Sequence, residues 1–523
     1  MQVPGKRASS LFVALSVTLL LGALLVAFPH HSLAASKRKT WGKLDKLVKR
    51  WMKRGLLRKA KIGIAVATTD GTPLYRYNAK RTYFPASNTK LITMAVALKT
   101  LGAGYRYITK IYGDRRINRR GVLRGNLYIK GSGDPYLRSE ELWRISRDLY
   151  NMGLRRITGR VVFDRSVFDA KRFGTGWRHH KHQWYRPYLA PIGGLSLNFN
   201  AMGVVIRPGS KVGRKARIAI DPPSRYIRRI INRTKTTRSG RFRMKLKVLS
   251  YKGFRDTVVV KGRVPVYAKA KTYWRRINHP GWYTAYVFAD SLRKQKIRVS
   301  PWPKRKRIPS RAVQIYQHYS PTLLSILQYT GKFSSNFATE QLLKTVAVKK
   351  RGKPGTWKKG LAVIREFLKS IGVPEKQYKM VNGSGLGRIN QFAPVLFVKL
   401  LQHMYSSFRW RVEYIVSQPT AGVDGTLRRR MRNSPAARTV RAKTGTLDGI
   451  STLSGYVQSP NKRMLVFSFC MNSEYAHKVS MGKRTRRYMQ RQTRQFRRFQ
   501  DALGKFLAKN NVPNRLLSRK DRK

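Results

Sequence analysis

Acidic residues are scarce: 21 of 523 positions are Asp or Glu. A paired-carboxylate glycoside hydrolase or a calcium cage needs several carboxylates converging in one place, so this scarcity sets both classes aside. There is one cysteine, Cys470, which excludes an internal disulfide. It falls in the apolar run 464–471, where it is expected to pack as a small hydrophobe in a buried strand rather than act as a nucleophile. Beyond residue 36 no apolar run reaches the roughly 18 residues needed to cross a bilayer, and no internal repeat is evident.

What the chain has in excess is positive charge. Its 112 Lys and Arg residues give a formal net charge of +91. With 41% hydrophobic and 11% aromatic residues it is not a disordered basic tail, and its length fits two to four domains with real cores. Such a surface must face something anionic: nucleic acid, acidic membrane or a cell-wall polymer. The N-terminus narrows the choice. Lys6 and Arg7 precede an apolar run over 11–28, and Ser32-Leu33-Ala34 follows as a small-x-small cleavage pattern. Residues 1–34 therefore read as an export signal, an uncleaved membrane anchor being the alternative, and the expected location is secreted or periplasmic. Export removes nucleic acid from the expected partners and leaves anionic wall or membrane surfaces.

The order of elements predicts a split domain. Two strands over 62–68 and 74–77 flank an Asp70-Gly71 turn. Leu91, Ile92, Met94, Ala95, Leu98 and Leu101 recur at helical spacing, with Gly102 placed to cap the helix. Far downstream, 440–447, 450–457 and 464–471 read as strands, and Phe496, Phe499, Leu503, Phe506 and Leu507 mark a last helix. Between these ends, about 110 to 310 is poorer in helical pattern and richer in short strands. There Arg241, Arg243, Lys245 and Lys247 alternate with Phe242, Met244, Leu246 and Val248, which makes one strand face a cationic row. The expected division is 37–110 and 310–507 for a split α/β catalytic domain, 111–309 for inserted β-rich domains with a second insertion at roughly 200–265, and 508–523 for a basic tail.

Three motifs carry chemistry. Ser87 and Lys90 stand three apart just before the apolar helix, so a shared face brings hydroxyl and amine together. A serine needs a base, and lysine serves only if burial, a helix N-terminus or a second cation lowers its pKa. Lys443-Thr444-Gly445-Thr446, opening a predicted strand, supplies that cation in Lys443, close approach at Gly445 and hydroxyls for a carboxylate in Thr444 and Thr446. Ser334-Ser335-Asn336 lies between two helical runs and can present Ser334 and Asn336 to one side. The ordered set, rather than any one motif, is that of the penicillin-recognising serine enzymes. Ser87 and Ser334 are 247 positions apart, far more than a compact β-lactamase allows, and Ser334 and Lys443 are 109 apart.

From about 62 to 507 the sequence resembles the D-alanyl-D-alanine carboxypeptidase/endopeptidases, the low-molecular-mass class C penicillin-binding proteins. The likeness is carried by 85–90 (PASNTK), 125–129 (GNLYI), 133–135 (GDP), 195–198 (LSLN), 382–386 (NGSGL), 421–427 (AGVDGTL) and 443–446 (KTGT). It implies a transpeptidase-like domain, a five-stranded antiparallel sheet flanked by helices, with two β-rich domains inserted after the Ser-x-x-Lys helix. It further implies that Ser87 attacks the bond between the terminal D-alanines of a peptidoglycan stem peptide while Lys90 takes the proton. Ser334 and Lys443 would pass that proton to the leaving amine, Asn336 would bind the substrate amide, and Thr444 with Thr446 would hold the terminal carboxylate. The backbone N–H groups of Ser87 and Thr446 would form the oxyanion hole. A β-lactam would acylate Ser87, and no metal or organic cofactor is implied.

One segment departs from the pattern. After Gly174-Thr175-Gly176-Trp177, where the family leads one to expect acids, the chain has Arg178-His179-His180-Lys181-His182, which offers no carboxylate to a diamino acid side chain. With no carboxylate or cysteine nearby, these histidines read as a solvated cationic loop rather than a metal site. Asp134, Asp424 and Asp448 read as turn and cap residues. Two alternatives stand beside the peptidase: a related β-lactamase or esterase, and a non-catalytic cationic wall-binding protein. The long insertion and the lack of an evident Glu to activate a deacylating water weigh against the first, and the intact motif set against the second.

Overall fold

The computed structural model describes residues 30–177, 184–251 and 253–512. The apolar run at 11–28, the 178–182 segment and the tail from Pro513 lie outside the described residues. No helix among the described residues is long and apolar enough to cross a membrane.

A five-stranded antiparallel sheet organises the site. Its order is Val440–Leu447, Ile450–Gln458, Met464–Asn472, Lys61–Thr68, Pro73–Tyr77, so the strand nearest the N-terminus sits between two parts of the chain far apart in sequence. Strand alternation sorts the side chains into two cores. Ile62, Ile64, Val66, Leu465, Phe467, Phe469 and Met471 pack under the helices His30–Met52 and Lys483–Lys509, where the Trp51 and Phe499 rings stack at 5.3 Å. Ala65, Ala67, Val466 and Cys470 face the helices Thr89–Leu101 and Pro394–Ser406 on the other side. Each fully buried Leu or Phe of these seams contributes about 1.5–3 kcal/mol. Cys470 is completely buried and its thiol is pushed up to about 12 by burial, so it packs as a hydrophobe.

The intervening chain builds a second, mixed sheet in the order Lys304–Arg305, Val161–Asp164, Leu127–Lys130, Ile108–Gly113, Val313–Tyr319. Of the antiparallel pair Ile108–Gly113 and Val313–Tyr319, the first strand crosses the limit expected at 111 and the second lies wholly beyond the one expected at 309. Two three-stranded sheets follow within 201–276. In one of them Arg243–Tyr251 is an outer strand, with Arg243, Lys245 and Lys247 exposed and Leu246 buried, the two-faced pattern expected of it. The stretch is less poor in helix than expected. Ser139–Asn151 buries Leu142, Ile145 and Leu149 on one stripe, and Pro280–Lys294 starts with proline in its first turn. A helix over His30–Met52 was likewise not expected; among its described side chains, those from residue 40 on, Leu44 and Val48 are the fully buried ones, a stripe too narrow to stand out among lysines.

Candidate active site

The Ser87 turn is fastened to the sheet on several sides. Ala86–Asn88 forms a short 3-10 turn that runs into the Thr89–Leu101 helix. Asn88 Nδ2 donates to Ser454 Oγ at 2.6 Å, Thr452 Oγ1 to the Pro85 carbonyl at 2.7 Å, and the Phe84 N–H to Asn472 Oδ1 at 2.8 Å. Two glycines are required for this closeness. A Cβ on Gly445 would lie 2.5 Å from the Pro85 carbonyl and 3.0 Å from Ser87 N. One on Gly385, whose φ is +76°, would lie 1.8 Å from the Ala86 carbonyl. Strand and loop thereby approach the half-buried Ser87 through backbone alone.

The structure brings five of the expected residues into one cluster. Lys90 Nζ lies 2.8 Å from Ser87 Oγ, 2.7 Å from Asn336 Oδ1 and 2.7 Å from the Ser384 carbonyl. Lys443 Nζ lies 2.8 Å from Ser334 Oγ and 2.9 Å from the Thr444 carbonyl. The Ser-Ser-Asn segment divides its work by position. Ser334 ends the Leu323–Phe333 helix in the left-handed region at φ 58°, Ser335 caps Asn336–Arg351 by accepting from the Ala338 N–H, and Asn336 opens that helix toward Lys90.

Both lysines are fully buried. Desolvation, then the charge of Lys443, holds Lys90 well below the usual lysine range, with Glu340 acting the other way; burial alone pushes Lys443 down to about 7. The neutral form this favours has a clear geometry. A neutral amine has two N–H bonds and one electron pair, and carbonyl oxygens can only accept. Asn336 Oδ1 and the Ser384 carbonyl take the two N–H groups, which leaves the electron pair for the Ser87 hydroxyl.

Thr444 Oγ1 donates to Thr426 Oγ1 at 2.7 Å, and Thr446 is exposed at the end of the same strand. The resemblance gave the Asn336 side chain to a substrate amide. Here its oxygen is engaged with Lys90 and its Nδ2 donates to the Tyr188 carbonyl at 3.1 Å, so the inserted chain itself reaches the site. Asp424 accepts from the Thr420 N–H and pairs with Lys332, Asp448 pairs with Arg486, and Asp134 accepts from the Tyr136 N–H. All three acids serve turns and ties.

Sequence reasoning missed Tyr188, Thr426, Ser384 and Glu340. The last is completely buried one helical turn beyond Asn336 and accepts from the N–H groups of Gly383 and Ser384. Its i+4 spacing from Asn336 was the available signal.

Known proteins share much of this sequence and fold. The D-alanyl-D-alanine carboxypeptidase of Actinomadura sp. (strain R39) is 30% identical over 423 residues, covering 78% of this chain and 77% of its own. D-alanyl-D-alanine carboxypeptidase DacB of Haemophilus influenzae is 24% identical over 394 residues, 75% of this chain and 81% of its own. The crystal structure of penicillin binding protein 4 (dacB) from Haemophilus influenzae superposes with a TM-score of 0.72 at 22% identity, covering 88% of this chain and 99% of that one, which shows the shared fold. The same Haemophilus protein has been solved with a β-lactam, with a TM-score of 0.68 at 21% identity over 88% of this chain and 99% of that one. A sequence model spanning residues 44–495 matches, and by that match the chain belongs to the D-Ala-D-Ala carboxypeptidase 3 (S13) family.

Proposed function

We propose that the protein is a serine-type D-Ala-D-Ala carboxypeptidase that also cleaves cross-links as a D,D-endopeptidase, working through an acyl-enzyme at Ser87. The observation that carries this reading is the Lys90 amine, desolvated and held by two obligate acceptors so that its electron pair meets Ser87 Oγ. Lys90 removes the hydroxyl proton as Ser87 attacks the carbonyl between the terminal D-alanines. The Ser87 and Thr446 N–H groups receive the developing oxyanion, where one such donor lowers the barrier by about 3–4 kcal/mol. Lys443, through Ser334, returns a proton to the leaving amine, and Thr444 and Thr446 hold the terminal carboxylate. Asn336 orients Lys90 and turns to the substrate amide as the stem peptide enters. Water then releases the acyl group, and no cofactor takes part.

Its substrate places the protein outside the cytoplasm, with 1–34 as the export signal, and its surface charge favours retention on anionic wall or membrane surfaces. The test is intact-mass spectrometry after incubation with benzylpenicillin. One adduct is expected on the wild type and none on Ser87→Ala; an unmodified wild type, or an adduct that survives the substitution, overturns the acyl-enzyme. Incubation with cross-linked muropeptide dimers reads the endopeptidase arm separately.

A further inference from the structure

Among the described acidic residues Glu340 is the one carboxylate acting on buried Lys90, and the Lys90 amine does not touch it. It sits on the Asn336–Arg351 helix with both oxygens fully used: Oε1 accepts from Ser384 N at 2.8 Å, and Oε2 from Gly383 N at 3.1 Å and from Trp357 Nε1 at 2.8 Å. With no oxygen to spare and no contact with Ser87, it is no base for a deacylating water. What it does hold is the turn whose next carbonyl, that of Ser384, receives Lys90 Nζ. A buried carboxylate costs several kcal/mol unless its lone pairs are met, so a chain this poor in acids has no packing reason to keep one here.

We propose that Glu340 is a positioning residue: through the Gly383–Ser384 turn it aims the Lys90 electron pair at Ser87, and its charge offsets that of Lys443 at the base. This rests on Lys90 being the base. The charged groups facing Lys90 among the described residues are Lys443 from the strand and Glu340 from the helix, and Lys344 stands one turn beyond Glu340, over the Trp357 ring. The test is the rate of Ser87 acylation by benzylpenicillin from pH 5 to 9. In Glu340→Gln, losing the negative charge favours neutral Lys90, so the acid limb moves to lower pH while the plateau rate falls at least tenfold. Glu340→Asp keeps the charge but not the reach, so its limb stays in place and only the plateau falls. A Gln variant whose limb does not move, or an Asp variant with an unchanged plateau, overturns the proposal; if the Gln variant does not fold, the Asp variant decides. Lys90→Ala isolates the underlying reading, which fails if that variant is acylated as fast as the wild type.

A second inference rests on a separate cleft. Arg165, Arg172 and Arg305 converge on a cavity of about 230 Å³ bounded by Phe254, Trp282 and His279. Arg165 is half-buried, and desolvation, Arg305 and Arg172 disfavour its charge, with Asp169 acting more weakly the other way. The neighbouring acids are committed elsewhere: Asp164 accepts from the N–H groups of Ser166 and Ile308, and Asp169 pairs with Lys344. Phe254 is 47% exposed and stacks on Trp282 at 5.2 Å, an apolar shelf beside the Arg165 and Arg305 guanidinium groups, while Arg172 donates to the Asn278 carbonyl at 2.6 Å. His279 is held neutral, pushed down to about 4 by burial and the adjoining Arg172 and Arg276.

The geometry points to a binding site for a phosphate-bearing polyol or sugar polymer, with phosphate on the arginines and the carbon skeleton on the shelf. Calorimetric titration with a glycerol-phosphate oligomer and with inorganic phosphate, at 150 mM salt, separates polymer from free anion. Arg165→Ala/Arg172→Ala is expected to weaken oligomer binding tenfold or more, and Arg243→Ala/Lys245→Ala, which removes the same charge from the exposed strand, less than twofold. Equal losses in the two variants, equal affinity for free phosphate, or no binding of the oligomer overturns the site.

Discussion

In the proposed mechanism Lys90 and Lys443, chemically alike, do opposite things. Lys90 must be neutral to accept a proton, while Lys443 must carry one to give away, and burial weakens the proton's hold on both. Acylation by a β-lactam should therefore rise with pH as Lys90 loses its proton and decline above about 7 as Lys443 loses its own. Lys443→Arg keeps a charge that does not titrate below pH 12, so the variant is expected to be slower but to lose the alkaline limb. An alkaline limb that persists in that variant would assign it to another group. Thr444→Val removes the hydroxyl beside Thr426 and should weaken carboxylate binding by about 1–2 kcal/mol, seen as a higher KM for a D-Ala-D-Ala peptide with kcat little changed. At this scale the sequence was legible where a side chain does the work. Ser87 and Lys90 meet because three positions make nearly one turn, and Lys443 was marked by the glycine and threonines that follow it. Ser384 was not legible because it contributes a carbonyl, which every residue has. Glu340 was passed over because its spacing from Asn336 says nothing without its backbone partners, which lie 43 and 44 positions away.

The elements hold Ser87 by close backbone approach rather than by bulk. Gly445→Ala would set a methyl 2.1 Å from Thr452 Oγ1, so the strand must draw back from the Ser87 turn. A loss of about 1–3 kcal/mol is expected by thermal unfolding, with a fall in acylation rate at least as large in proportion. Gly385→Ala carries both the contact with the Ala86 carbonyl and a backbone angle that alanine resists, and should cost more. The inner strands of the five-stranded sheet were legible because both of their faces are buried, so they read as short, nearly continuous apolar runs between turn residues. Pro280–Lys294 is buried on nearly every side and shows no polar face to set a period, whereas the helices at Ser139–Asn151 and His30–Met52 were hidden by arginine and lysine, whose long stems cover apolar neighbours while their charges mask it. The same holds for the first turns of Lys483–Lys509, which carry few buried residues before Phe496.

Across the whole molecule the charge of +91 is a surface property laid over a site that uses two buried lysines. Exposed charges are screened beyond about 8 Å at physiological salt, so most of them cannot act on the reacting bond. Retention on isolated sacculi is expected to fall steeply between 50 and about 500 mM salt, while β-lactam acylation changes little; binding indifferent to salt would remove the electrostatic account. The order of strands has a different consequence. Lys61–Thr68 pairs along its length with Met464–Asn472, and Lys443 arrives on a strand made only shortly before. During synthesis, then, Ser87 emerges 356 residues ahead of Lys443. A nascent chain halted before residue 440 should take up no fluorescent penicillin at Ser87, because Lys443 and the strands that brace the Ser87 turn have yet to be made.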